Sequence, residues 1–284
     1  MIAISKVHTI FLKKLVYVTI LLPIFLSSCI SKEYILKKGE RVSIPGKDIV
    51  MGGILYRPKK TKLKSPAIII LHGWSKYDTK PVEITALDAW SLSREGYVTL
   101  ALSMRGWNPT GGKDDCGGKQ PRDVMDALDW LAQQPDVNPQ QLGLLGYSQG
   151  GQNALLCAAL TDKLKAVVAY FPVIELERWA ETTDNDGIRN WYIPNVCSKD
   201  GGIKSKSPLY VADKINAPTL LVQGEQDTRV PAEQSIMMEK AMRISGKNVR
   251  LHLVKGGTHS PQSDNAEWKD ARKLVKEFFK TNLR

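Results

Sequence analysis

The sequence of 284 residues is poor in the groups that build metal sites and disulfide scaffolds, with four cysteines and four histidines. None of the cysteines has metal-ligand spacing, so we expect no metal and no cofactor. Aromatic residues make up 7% of the chain, and no basic helix is interleaved with them. Despite a net charge of +11, the sequence therefore does not predict a nucleic-acid-binding protein.

The N-terminus lacks acidic residues as far as Glu33 and carries three lysines before an apolar stretch at residues 15–26. That stretch is long enough for the core of a signal peptide and short for a membrane span. It ends in small residues before Cys29, which resembles the lipobox of bacterial lipoproteins. We therefore predict a signal peptide at residues 1–28, with Cys29 as the acylated first residue of an exported protein anchored in a bacterial envelope membrane. An uncleaved anchor helix is the alternative.

The remainder of the chain alternates aliphatic runs with amphipathic segments. After a tether at residues 29–40, this alternation predicts one α/β domain over residues 41–284, with a mostly parallel central sheet and helices on both faces. The paired glycines Gly52 and Gly53 indicate a bulge or a close backbone approach in an early strand. The predicted strands are residues 41–44, 49–56, 67–71, 97–102, 142–145, 166–170, 219–222 and 249–254, and the predicted helices are 84–94, 122–134, 153–160, 232–245 and 265–281.

One long segment, at about residues 172–210, has no strong strand pattern. A stretch of that length between sheet strands is usually functional, so we predict a small cap over the site. Its aromatic residues Trp179, Trp191 and Tyr192 are either walls of a pocket or packing within the cap.

A single short motif carries most of the functional information. Residues 146–150, Gly-Tyr-Ser-Gln-Gly, match the G-x-S-x-G turn that presents a nucleophilic serine between a strand and a helix. The flanking segments have the required strand and helix character. Ser148 is therefore the candidate nucleophile.

A serine hydroxyl needs a base, and the base needs an orienting acid. His259 lies in a glycine-containing loop after the last predicted strand, and Asp227 follows the strand before it. The carboxyl ends of parallel strands share one edge of a sheet, so these groups are expected to converge there with Ser148. Glu225 is the competing acid, and His72 is interpreted as a structural hydrogen-bonding residue.

These residues together resemble the α/β-hydrolase family, in its dienelactone-hydrolase and prolyl-oligopeptidase-like branch. The resemblance covers about residues 40–283 and is carried by five motifs. It implies Ser148 as nucleophile, His259 as general acid and base, and Asp227 as the group that orients the imidazole. It also implies an oxyanion hole formed by the backbone N–H groups of Trp74 and Gln149. The motifs are His72-Gly73-Trp74, Arg105-Gly106, residues 146–151, residues 227–231 and Gly257-Thr258-His259.

Two departures from the family pattern shape the functional hypothesis. Dienelactone hydrolases carry a cysteine where this chain has Ser148, and prolyl oligopeptidases carry a large propeller for which the chain has no room. The leading hypothesis is a serine hydrolase that cleaves carboxylic esters through an acyl-enzyme. The ester would belong either to a small molecule or to a component of the cell envelope. A serine peptidase or acyl-aminoacyl hydrolase is the alternative within enzymes, and a catalytically silent ligand-binding lipoprotein is the alternative outside them. The sequence does not indicate an oligomeric state.

Three cysteines would remain after export. Cys116 and Cys197 lie in polar, glycine-containing loops, whereas Cys157 falls within a predicted helix and is expected to be buried. Because exposed cysteines tend to pair in an oxidising compartment, we predict a Cys116–Cys197 disulfide that ties the cap to the loop after the strand at residues 97–102.

Overall fold

The computed structural model describes residues 31–59, 64–75, 80–261 and 266–284, so the predicted signal peptide and Cys29 lie outside the described residues. An eight-stranded sheet forms the centre of the molecule. The predicted strands are all present, with longer bounds in most cases. They are β1 (Glu40–Pro45), β2 (Val50–Tyr56), β3 (Ser65–Leu71), β4 (Val98–Leu102), β5 (Val137–Tyr147), β6 (Leu164–Tyr170), β7 (Thr219–Gly224) and β8 (Val249–Val254). In the sheet they lie in the order β1-β2-β4-β3-β5-β6-β7-β8.

The sheet is mostly parallel, as predicted. Only β1 with β2 and β2 with β4 pair antiparallel, and the strands from β4 to β8 pair in parallel. All seven residues of β3 are buried, which is why this strand is an unbroken aliphatic run rather than an alternating one. The order of the parallel strands places the ends of β3, β5, β6, β7 and β8 along one edge.

Helices cover both faces of this sheet. The helices are α1 (Lys32–Lys38), α2 (Val82–Arg94), α3 (Gln120–Ala132), α4 (Gln149–Ala158), α5 (Leu176–Thr182), α6 (Glu233–Ile244) and α7 (Ala266–Leu283). The core on one face includes side chains of α3, α4 and α6, and the core on the other includes side chains of α1, α2 and α7. Trp268 and Phe279 of α7 are among the largest buried side chains.

The segment interpreted as a tether contains helix α1. Ser31 caps it by accepting a hydrogen bond from the Tyr34 N–H at 3.2 Å. Ile35 is buried against the α2 and α7 face, and its carbonyl accepts a hydrogen bond from the Tyr56 hydroxyl. One buried aliphatic side chain in a mostly charged segment leaves a weak periodic pattern, and the sequence therefore did not indicate this helix.

The two glycines of β2 allow a close approach rather than a bulge, because the pairing of β1 with β2 runs without a register shift. A Cβ on Gly52 would lie 2.2 Å from Cγ of Pro109. The loop after β4 therefore packs directly on the backbone of β2.

The cap between β6 and β7 is folded, and it contains α5, a π-helix at Ile188–Cys197 and 3-10 turns at Lys204–Lys206 and Pro208–Lys214. Its buried side chains form a third hydrophobic cluster that also includes Cys116 and Val230 of the main domain. Within the described ranges, we find no helix that is both long and apolar enough to span a bilayer.

Candidate active site

Ser148 sits between the end of β5 and the start of α4, with φ 54° and ψ −115°. A non-glycine residue in this conformation is strained, and close packing around it keeps it there. A Cβ on Gly146 would come within 2.2 Å of the Gly150 carbonyl oxygen, and a Cβ on Gly150 would come within 2.5 Å of the His72 carbonyl oxygen. Steric exclusion thus explains both glycines of the motif.

Asp227 and His259 lie in the loops after β7 and β8. Oδ2 of Asp227 is 2.6 Å from Nδ1 of His259, and the aspartate side chain is fully buried. Its other oxygen, Oδ1, accepts hydrogen bonds from the N–H groups of Arg229 at 3.0 Å and Val230 at 2.9 Å. The carboxylate is therefore fixed, and its Oδ2 faces the imidazole while it also accepts the Gln223 side-chain amide at 3.4 Å. Glu225, the competing acid, is exposed.

The end of β6 contacts both the candidate nucleophile, Ser148, and the candidate base, His259. The Ser148 N–H donates to the Tyr170 carbonyl at 2.9 Å, and the ring of the next residue, Phe171, lies 4.3 Å from the ring of His259. The three residues that the sequence selected as a triad thus come from three loops at the same edge of the sheet.

The loop after β3 runs beside the nucleophile. A Cβ on Gly73 would lie 3.3 Å from Cβ of Ser148, so the loop that carries Trp74 passes directly beside Ser148. Gln149 is the first residue of α4, where the N–H groups of a helix have no intrahelical acceptor and the helix dipole favours negative charge. The backbone N–H groups of these two residues are therefore suited to stabilise an oxyanion.

His72 holds this loop in place. Its Nε2 accepts the N–H of Met104 at 3.0 Å, its Nδ1 lies 2.9 Å from the Gly73 carbonyl oxygen, and its ring contacts Trp107 edge to face. An imidazole that donates from Nδ1 and accepts at Nε2 is neutral and already engaged with backbone, so the structure gives it a structural role.

A cleft of about 910 Å³ opens beside the loop of Trp74. Trp191 and Tyr192 of the cap line it together with Trp74 and Trp107. Trp179, the third cap aromatic, is instead 4% exposed and donates from Nε1 to the Arg229 carbonyl at 2.7 Å. It packs the cap onto the loop that carries Asp227 and does not line this cleft.

The cap is joined covalently to the domain. Cys116 and Cys197 form a disulfide with a Cα–Cα distance of 5.0 Å, and Cys157 is a buried free thiol whose pKa is raised by burial. Across the described ranges, no three His, Cys, Asp or Glu side chains are grouped so as to hold a metal ion.

The sequence reasoning missed Asp114, which lies two residues before the disulfide. Its carboxylate accepts hydrogen bonds from the Cys116 N–H, the amides of Gln120 and Gln149, and the Tyr192 hydroxyl. Burial raises the pKa of Asp114, and these hydrogen bonds oppose that shift. An isolated aspartate in a polar loop carries no signal that distinguishes it from any other surface acid.

The fold and the site together define a serine hydrolase of the α/β-hydrolase superfamily. The model of the prolyl oligopeptidase family of serine peptidases matches residues 84–284, a range that contains Ser148, Asp227 and His259. The chain belongs to that family. This outcome confirms the prolyl-oligopeptidase side of the resemblance seen in the sequence.

Individual relatives agree with the assignment. The chain is 25% identical over 241 residues to the uncharacterized peptidase YuxL of Bacillus subtilis, which covers 81% of this chain and 36% of that protein. It is 27% identical over 225 residues to the human acylamino-acid-releasing enzyme, covering 72% of this chain and 29% of that one. The chain thus spans about a third of the length of these curated relatives.

Solved structures show the same fold. Pyrococcus horikoshii acylaminoacyl peptidase superimposes with a TM-score of 0.73 at 20% identity, over 86% of this chain and 41% of that chain. Est1E of Butyrivibrio proteoclasticus, solved with ferulic acid bound, superimposes with a TM-score of 0.67 at 26% identity, over 85% of this chain and 98% of that one. The predicted α/β-hydrolase fold is therefore confirmed.

Proposed function

We propose that this protein is a serine peptidase of the acyl-aminoacyl-hydrolase type, which cleaves the amide bond after an N-acylated residue. The observation that carries the proposal is the family match over residues 84–284, which contains the whole candidate triad. Several relatives are named acylamino-acid-releasing enzymes, from rice, mouse, rat and human. This substrate class was the alternative in the sequence analysis, and the comparisons favour it over the carboxylic ester hydrolase that led there.

The geometry supports a two-step mechanism. Oγ of Ser148 attacks the carbonyl carbon while Nε2 of His259 takes the hydroxyl proton, and Asp227 stabilises the resulting imidazolium through Nδ1. The backbone N–H groups of Gln149 and Trp74 bind the oxyanion of the tetrahedral intermediate. His259 then protonates the leaving amine as the carbon–nitrogen bond breaks. Water, deprotonated by the same imidazole, hydrolyses the acyl-enzyme and regenerates Ser148.

Ester hydrolysis is retained as a second candidate because of one observation. The Est1E structure, with ferulic acid bound, is matched over 98% of its chain, whereas the peptidases reported above are matched over 29% to 41% of theirs. Est1E therefore resembles the described domain in extent as well as in fold. The same triad chemistry serves both bonds, and the choice depends on the leaving group that the cleft accepts.

A matched pair of substrates tests the proposal. N-acetyl-alanine p-nitroanilide and N-acetyl-alanine p-nitrophenyl ester share their acyl group and differ in the bond that is cleaved. A peptidase of the proposed type cleaves the anilide, and removal of the N-acetyl group lowers its kcat/KM. Turnover of the ester with no anilide cleavage above the Ser148→Ala background would instead establish the esterase. Absence of both activities, together with ligand binding, would support the silent lipoprotein.

We further propose that the protein acts at the cell envelope, held in a membrane by acylation of Cys29. The sequence before Cys29 supports this location, since a basic region, an apolar core and small residues precede the cysteine. Two or more acyl chains give stable anchoring, which a lipoprotein cysteine would provide.

A further inference from the structure

We propose that Asp114 is a positioning residue for the oxyanion hole, acting through the side chain of Gln149. The inference rests on the serine-hydrolase chemistry of Ser148 alone and holds for an amide or an ester substrate. It assigns a function to the contact between the cap and the nucleophile loop.

The contact begins at the residue that follows the nucleophile. Gln149 is 2% exposed, and its Nε2 donates to Oδ1 of Asp114 at 2.8 Å and to the hydroxyl of Tyr192 at 2.8 Å. The Tyr192 hydroxyl in turn donates to Oδ2 of Asp114 at 2.7 Å. Three side chains, one from the residue after Ser148, one from the loop after β4 and one from the cap, thus close one ring of hydrogen bonds.

Asp114 is itself held on several sides. The Cys116 N–H and the Gln120 amide each donate to its Oδ1 at 3.0 Å. A Cβ on Gly106 would lie 2.6 Å from the Asp114 backbone nitrogen, so the turn at Gly106 packs directly against it. Four hydrogen-bond donors are directed at this position, so it requires a group that only accepts hydrogen bonds. An ionised carboxylate is such a group.

The functional consequence follows from the backbone of the turn at residues 146–150. The peptide between Ser148 and Gln149 carries the proposed oxyanion donor, and its direction is set by the ψ of Ser148, −115°, in a strained conformation. Such a conformation persists only when the surroundings over-determine it. Hydrogen bonds from the Gln149 side chain to Asp114 and Tyr192 restrain the same residue from its other end. Loss of this restraint lets the N–H group drift from the direction of the oxyanion, and a shift of about 1 Å costs on the order of 100-fold in rate.

The test compares Asp114→Ala with Asp115→Ala, using p-nitrophenyl acetate as substrate because its acyl group is too small to depend on the cap. Alanine is used because an asparagine would keep an oxygen at the Oδ1 position, where the Gln149 amide donates. Asp115 is a matched control, since it accepts the N–H groups of Gly118 and Lys119 and has no hydrogen bond to Gln149 or Tyr192. We expect kcat and kcat/KM of Asp114→Ala to fall together by about 10- to 100-fold, as loss of a transition-state interaction requires, with KM within threefold. Asp115→Ala should stay within twofold of wild type.

A second variant, at Gln149, tests the proposal even if the Asp114 variant does not fold. Gln149→Leu keeps the backbone N–H and removes only the side-chain link, so it should reproduce the loss in kcat. The double variant should be no worse than about threefold below either single one, because both remove the same restraint. A normal kcat for p-nitrophenyl acetate with a raised KM only for bulky substrates would show that Asp114 merely holds the cap. Multiplicative losses in the double variant would equally overturn the proposal.

Discussion

Replacement of Asp227 by asparagine is expected to disable the base without disturbing the fold. The structure determines how the new amide must orient. The position of Oδ1 accepts two backbone N–H groups, from Arg229 and Val230, so the amide oxygen takes that place. The amide nitrogen then faces Nδ1 of His259, at the position where Oδ2 lies 2.6 Å away in the wild type.

An NH2 group in that position can only donate, and it therefore favours the tautomer of His259 with an unprotonated Nδ1. The proton moves to Nε2, the nitrogen that has to accept the proton of the Ser148 hydroxyl. The imidazolium formed in the transition state also loses its carboxylate partner. In a serine protease triad the corresponding change lowers kcat by about 10⁴-fold, and we expect a loss of that order for Asp227→Asn.

The assay measures kcat on an activated ester together with the rate at which a fluorophosphonate labels the protein, because both depend on the same base. Glu225→Gln is the control, since Glu225 is an exposed acid in the same loop. The melting temperature of Asp227→Asn should fall only slightly, because the amide keeps both backbone hydrogen bonds and loses only the long one from the Gln223 amide. A loss of less than tenfold in Asp227→Asn, or a crippled Glu225→Gln, would show that the acid has been wrongly assigned.

Three further predictions concern the disulfide, a partly buried acid and the N-terminus. Replacing Cys116 and Cys197 together by serine opens a loop with a sequence separation of 81 and should lower the unfolding free energy by up to about 4 kcal/mol, measured in urea; unchanged stability would argue against the bond. Burial raises the pKa of Asp88 to about 6. The ionised carboxylate therefore lowers the unfolding free energy by its full amount above about pH 6, and this penalty fades as the pH falls toward 4. Asp88→Asn should therefore raise the melting temperature at pH 8 and progressively less toward pH 4, and a gain that is the same at both pH values would refute the shift. Mass spectrometry of membrane-extracted protein should find a chain that starts at Cys29 and carries lipid; an intact N-terminal segment would contradict the lipoprotein proposal.

The parallel core and the helices around it were predictable because the spacing of their apolar residues along the sequence reflects which side chains are buried. A strand covered on both faces, such as β3, is an uninterrupted aliphatic run, and α7 repeats its apolar residues at helical spacing. Helix α1 was missed because Ile35 is its only buried side chain. Of the two predictions for the paired glycines of β2, the structure shows the close approach, and the sequence could not identify the partner of Gly52, which is Pro109 in the loop after β4.

The site divides in a similar way. Ser148, Asp227 and His259 could be selected from sequence, because each follows a strand whose carboxyl end must lie at one edge of the sheet. Asp114 could not, because its role depends on Gln149 and Tyr192, which are 35 and 78 residues away.

The most direct test of the central claim is labelling of the intact protein by a fluorophosphonate, with the modified residue located by mass spectrometry. The account predicts one adduct, on Ser148, formed by the wild type and lost in Ser148→Ala, with a fall in kcat of at least about 10³-fold and an unchanged melting temperature. An adduct on another residue, or near-normal turnover by a folded Ser148→Ala protein, would contradict it.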